Sequence, residues 1–292
     1  MPLLHIAGYE WLDWDANLDV VALCVLLEAA YLYAVTYLRS QPSDAGRADA
    51  GRVTRSQMAL FTLGVLMIYA ATGSPLHGLA ENYLLTAHML QHLLLTLVAA
   101  PLLLAGVPGW LWRAMLRTPG AMPVARVITQ PVVAFAVFNA SLLLFHLPPT
   151  IDLQLRVHGF HFFVHFALTA SGLLMWWPIL SPLKELPRLS EPLQIGYLFL
   201  QSLLPAVMAS FITFSESAVY SFYADAPRIW GLTAVDDQQI AGGLMKLLGA
   251  IILWPYMTIV FFRWYARVEA EEKELDGDGA EAELRELGLE SR

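Results

Sequence analysis

The histidines of this chain fall in groups whose spacing suits metal chemistry. HMLQH sets His88 and His92 four residues apart, HGFHFFVH carries His158, His161 and His165, and FHLPP closes an apolar run at His146. His5 and His77 stand apart from these groups. On a helix that turns about 100° per residue, His88 and His92 share one face, and the other three fall within about 60° of one another. Two helices would thus each present a stripe of imidazoles, with His146 beside them. Imidazole nitrogens converging in this way bind copper or zinc. The chain holds a single cysteine, Cys24, so thiolate pairs are not the ligands. HMLQH is not a zinc-protease HExxH, because Gln91 cannot act as the carboxylate base of that motif.

The elements that must position these residues are membrane helices. Of the 292 residues 57% are hydrophobic and only 14% charged, and the mean hydropathy of +0.55 lies far from that of soluble domains. Seven apolar stretches, at residues 18–38, 58–73, 83–105, 127–146, 157–180, 193–214 and 240–265, approach the roughly 20 helical residues that cross a bilayer core. The reading is an all-α polytopic membrane protein with seven transmembrane helices. Residues 1–17 form an external N-terminal segment, 18–266 the bundle, and 267–292 an acidic, flexible cytoplasmic tail. Residues 40–57, rich in Gly, Ser, Asp and Arg, read as a cytoplasmic linker. No cleavable signal peptide is expected, since residues 1–17 carry no Lys or Arg but hold Glu10, Asp13 and Asp15.

Basic residues favour cytoplasmic loops. Of the 17 Lys and Arg residues, only Arg156, Arg228 and the intramembrane Lys246 lie off one side, which predicts the N-terminus outside and the C-terminus in the cytoplasm. Every histidine then falls outside the membrane or in its outer leaflet. His88, His92, His161 and His165 have the depth of a buried site, while His146 is expected at the outer surface. Asp237, Gln238 and Gln239, at the outer mouth of the seventh stretch, are candidates to orient the imidazoles, and Met245 is a neighbouring thioether. Core packing is the plainer reading of each methionine. Gly242 and Gly243 would let helices approach closely there.

Other readings compete. A single histidine at a helix end is commonly an interfacial hydrogen-bonding residue, and His146 and His77 invite that view. Glu28 and Lys246, each costly alone in lipid, would form an ion pair if the first and last helices adjoin. A retinal Schiff base on Lys246 fares badly, because the third stretch offers no carboxylate counter-ion. The same imidazole stripes could hold haem between axial histidines in a redox protein, or carry metal through the bundle in a transporter. The inner halves of the third, fifth and seventh stretches are almost wholly apolar, which counts against a through-path. No nucleophile triad, phosphate loop or dinucleotide fingerprint supports an enzyme. Topology alone accounts for the basic residues, so nucleic acid is not an expected partner.

The run HMLQHLLLTLVAAPLLLAG, the FNASLLLFHLPP end of the fourth stretch, the HxxHxxxH stripe leading to WWPIL, and DDQQIAGGLMK together resemble the seven-span CtaG family of cytochrome c oxidase assembly factors. The likeness covers residues 60–265. It is distinct from the single-span copper chaperone that shares the name. The resemblance implies a multi-pass protein of the bacterial inner (plasma) membrane that helps mature caa-type and related haem-copper oxidases. It implies copper, as Cu(I), for the metal, with oxidase subunits, a periplasmic copper donor and membrane lipid as partners. Carried over by motif, the ligand candidates are His88, His92, His146, His158, His161 and His165.

Overall fold

The computed structural model describes residues 17–38 and 53–286, and every regular element among them is helical. His5, the external segment up to residue 16 and most of the expected linker lie outside the described residues. In chain order the helices are α1 (Leu18–Tyr33), α2 (Arg55–Thr72), α3 (Pro75–Asn82), α4 (Leu85–Leu93), α5 (Ala100–Gly106), α6 (Gly109–Met115), α7 (Ala121–Ile128), α8 (Pro131–Phe145), α9 (Pro148–Arg156), α10 (His158–Leu180), α11 (Glu191–Phe214), α12 (Ser221–Asp225) and α13 (Ala234–Glu286). A π-helical turn, Ala34–Leu38, extends α1, and another, Leu94–Ala99, joins α4 to α5.

Five helical spans are long and apolar enough to cross a bilayer: Leu18–Tyr37, Leu85–Gly106, His158–Leu180, Glu191–Phe214 and Ala234–Glu274. Two bent pairs, α2 with α3 (41°) and α7 with α8 (77°), raise the number to seven if each counts as one span. Exposed apolar side chains, among them Phe211, Phe214, Leu247 and Phe262, cover the outside of these helices. In water such a surface would be an aggregation hazard; in lipid it is the solvated face.

The helix starts follow their chemistry. Thr54 and Gln57 form a reciprocal capping box on α2, and Ser74 caps α3 just before a proline at its first position. The first residues of α4 have no cap of their own. They are capped from α13, where the Asp237 carboxylate accepts from Leu85 N at 2.7 Å and Thr86 N at 3.1 Å. A carboxylate suits that position because the first amide N–H groups of a helix are unpaired and carry the positive end of its dipole.

Close backbone contact holds the centre together. A β-carbon on Gly172 of α10 would stand 3.1 Å from the backbone of Thr96, and one on Gly242 of α13 would stand 2.7 Å from the Ala209 carbonyl of α11. The close approach expected around Gly242 is therefore realised; Gly243 faces open space. Trp176 on α10 donates its indole N–H to the Thr96 carbonyl at 3.1 Å, pinning α10 to the π-helical turn.

The two ends of the bundle differ. At one end lie α3, α9 and α12, which interlock: Tyr223 donates to the Ala80 carbonyl at 2.6 Å, Tyr220 to the His146 carbonyl at 3.0 Å, and Ser221 to Asp152. At the other end Arg113 pairs with Glu185, Arg188 donates to the Ser181 carbonyl, and Arg267 pairs with Glu191. The Arg113 guanidinium holds the exposed Glu185 carboxyl below its ordinary range.

One expectation needs correction. Glu28 and Lys246 do not pair. Helix α1 packs on α2 while α13 packs on α11 and α4, so Glu28 accepts from Thr62 at 2.8 Å, and Lys246 reaches Ser210 at 3.5 Å and lies over the Phe214 ring. Helix α13 runs on into the acidic tail as far as Glu286. Its Ala, Glu, Leu and Lys residues are strong helix formers, and Glu269 and Lys273 form an i,i+4 ion pair.

Candidate metal centre

Histidines from four helices meet beneath the interlocked end. The rings of His88 and His92 on α4 and of His161 and His165 on α10 form a closed circuit, with centroid separations of 4.3 Å (His88–His92), 5.4 Å (His92–His165), 4.3 Å (His165–His161) and 5.6 Å (His161–His88). His146, at the end of α8, flanks His92 at 5.1 Å, and His77 on α3 flanks His161 at 5.5 Å. All six are buried, His88 completely. Tyr223 covers the His88 ring edge-on.

The hydrogen bonds around this group assign its protons. A backbone carbonyl only accepts, so the 2.7 Å contact between His146 Nδ1 and the Leu142 carbonyl places the proton on Nδ1. His146 Nε2 is then an acceptor, and the 3.3 Å contact to His92 requires His92 Nδ1 to donate. That leaves His92 Nε2 as a bare lone pair. On the other side, His161 Nδ1 lies 2.7 Å from Glu81 Oε1 and His77 Nε2 lies 3.2 Å from the same oxygen. A carboxylate oxygen set between two imidazole nitrogens at these distances is matched as the acceptor of two N–H donors. Glu81 therefore accepts from both rings. His77 Nδ1 accepts in turn from the Gln91 amide at 3.0 Å, whose second N–H goes to the Ala71 carbonyl at 2.6 Å. His161 Nε2, like His92 Nε2, remains a lone pair.

These nitrogens and their neighbours have no partner. His92 Nε2, His161 Nε2, His165 Nε2 and both nitrogens of His88 are buried without a hydrogen bond. Each such group costs about 1–3 kcal/mol if nothing satisfies it. Among the described residues, no three His, Cys, Asp or Glu side chains stand as a ready metal-binding group. What is present is a ring of four imidazoles with unsatisfied nitrogens, two of them tautomerically set by outer partners. A carboxylate or carbonyl behind a metal-binding imidazole commonly plays that role.

Several sequence expectations are placed differently. His158 does not join the ring: its side chain is 67% exposed and faces Asp19 at 3.4 Å. His146, expected at the outer surface, is buried because α9 and α12 fold over it; Gln154 and Tyr220 both bond the backbone at Phe145 and His146. Asp237 caps α4 and touches no imidazole. Gln238 bonds the backbone at Val219, Ile212 and Ser217, Gln239 is exposed, and Met245 belongs to an apolar cluster with Met89, Ile151 and Tyr223. The orienting groups are instead Glu81, His77 and Gln91. HGLAE, with His77 and Glu81 at i,i+4, carried the signal for the first two.

A family model described as cytochrome c oxidase caa3 assembly factor (Caa3_CtaG) matches residues 29–267, a segment that contains all six clustered histidines. Two similar proteins, described as uncharacterized, come from Mycobacterium bovis and Mycobacterium tuberculosis. Each is 24% identical over 276 residues, covering 88% of this chain and 41% of the relative. The chain thus spans about two fifths of the length of these relatives. No solved structure matches. The apolar helices and the family together describe a multi-pass protein of a bacterial plasma membrane. By the extent of that match and by the motifs that line its histidine ring, the chain belongs to the CtaG family of cytochrome c oxidase caa3 assembly factors.

Proposed function

We propose that this protein is a copper carrier for cytochrome c oxidase assembly: the imidazole ring takes up Cu(I) from an extracytoplasmic donor and passes it to an oxidase subunit. The observation that carries this reading is the set of buried, unpartnered nitrogens on His88, His92, His161 and His165. Closing on an ion asks these rings to turn about χ2, a broad torsion for histidine. His146 stands next to the ring as a reserve donor. Transfer is ligand exchange, with copper's oxidation state unchanged and no bond-making catalysis. An ion held by two or three imidazoles keeps a face open to its acceptor, which a closed four-ligand cage would not.

In this reading all seven apolar stretches span the membrane, the N-terminus is external and the C-terminus cytoplasmic. The histidine end then faces the compartment from which copper comes. Two observations favour this over the alternatives. The ring neighbours lie 4.3–5.6 Å apart, which leaves no slot for a flat porphyrin between them. Beyond Thr96 the buried Leu97, Ala100, Leu104 and Met175 belong to one apolar cluster, and among the described residues the buried polar side chains around it, such as Ser171, Gln194 and Gln201, include no imidazole, thiol or carboxylate to carry an ion on.

Metal analysis of the full chain, purified under reducing, copper-replete conditions, tests the proposal. Wild type is expected to retain copper, and both His88→Ala with His92→Ala and His161→Ala with His165→Ala are expected to lose most of it. Equal copper in all three overturns the site.

A further inference from the structure

The histidine ring is closed on most sides. His88, His92 and His146 are at most 4% exposed, and Met89, Ile151, Tyr220 and Tyr223 form a buried apolar cluster beside them. On the flank of His161 and His165 the ring is open. A cavity of about 290 Å³ lies between α1 and α10 and reaches His77, Glu81, His161 and His165. Its walls are mainly apolar, with Leu23 and Leu27 on one side and Phe162 and Phe166 on the other. Through these walls runs a polar line. At its start Asp19, near the beginning of α1, faces His158, the first residue of α10, at 3.4 Å. One turn further on is His161 with Glu81, and one turn beyond that is His165.

Exposure falls along this line. The side chain of His158 is 67% exposed and that of Asp19 48%, whereas that of His161 is 2% exposed. The HxxHxxxH stripe is thus a ladder from the surface to the interior, and only its lower rungs belong to the ring. Each rung is a nitrogen donor within one helical turn of the next. The apolar walls offer an ion nothing else to bind, so they confine it to the ladder.

We infer that the crevice between α1 and α10 is the path by which the metal ion reaches the ring, with Asp19 and His158 as its first contact. This rests on the copper reading and adds a route to it. The ion moves from the carboxylate and imidazole at the mouth to His161 and His165 by successive ligand exchange. Asp19 and His158 act on the rate of loading and leave the amount bound at equilibrium unchanged.

The test is the time course of Cu(I) transfer from a chromophoric chelator, bicinchoninate, to the detergent-solubilised full chain under anaerobic reducing conditions. Asp19→Asn combined with His158→Ala should slow transfer by about tenfold, the lower end of what local charge gives an on-rate, with unchanged final copper. Ala170→Trp, which adds bulk to the crevice and leaves every histidine in place, should slow it as well. Wild-type rates in both variants overturn the route and leave the copper reading standing. Lower final copper in the double variant overturns it too, because His158 is then part of the holding site. A wild-type chain that takes up no copper overturns the copper reading and the route together.

Discussion

Glu81 accepts hydrogen bonds from His77 and His161 through one oxygen, and so decides which nitrogen of His161 faces the ring. An amide in its place could still accept from both imidazoles at its one carbonyl oxygen, but without the charge that makes a carboxylate the stronger acceptor. Glu81→Gln is therefore expected to weaken copper binding by about 10–100-fold, the usual effect of losing an orienting partner. Competition against a chelator of known affinity measures this, and an unchanged affinity would remove Glu81 from the site. At this scale the sequence was legible where chemistry and spacing coincide. His88 with His92 and His161 with His165 lie on shared helix faces, and they form the ring. It was not legible where a partner comes from another element. Gln91 was weighed only as a protease base it cannot be, yet its amide holds His77. His77 looked like an isolated interfacial residue because the fold of α3 back over the bundle leaves no local trace.

Helix α4 carries half of the ring, and its start is fixed from elsewhere by Asp237 of α13. Removing that carboxylate leaves the buried amide N–H of Leu85 and the part-buried one of Thr86 unpaired one turn before His88. Asp237→Ala is expected to cost about 1–2 kcal/mol, in the range of lost helix caps. Thermal melting of the detergent-solubilised protein should register the loss, and a wild-type melting temperature would show that the cap contributes nothing. Further along, α4 passes into the π-helical turn Leu94–Ala99, where Gly172 lets α10 approach the backbone of Thr96. The two histidine helices are thus clamped just below the ring. Apolar length marked the long helices in the sequence, and their places agree with the structure. The breaks did not show: the 77° bend between α7 and α8 lies inside a stretch that reads as continuous, because hydropathy does not register direction.

Across the whole molecule, the arginine pairs and the histidine ring occupy opposite ends. If basic residues are retained in the cytoplasm, as the proposed function takes it, the ring end is the external one. A cysteine at the exposed Ser217, near the ring end, should react with a membrane-impermeant maleimide in intact cells, and one at the exposed Thr118, at the arginine end, should not. The reverse pattern would invert the orientation. The bias in Lys and Arg on which the proposed sidedness rests lies in the sequence, whereas the interlocking of α3, α9 and α12 was not legible there, since it depends on contacts such as Tyr223 with Ala80 across long chain separations. The carboxylate enclosed behind the ring also bears on valence. Imidazoles bind metal as neutral ligands, so among the described residues Glu81 contributes the formal negative charge in contact with the ring. A monovalent ion brings that sum to zero, while a divalent ion leaves one positive charge uncompensated in surroundings that solvate charge poorly. Repeating the uptake measurement with Zn(II) reads this directly: the ring should discriminate between metals by charge, with its shape a lesser constraint.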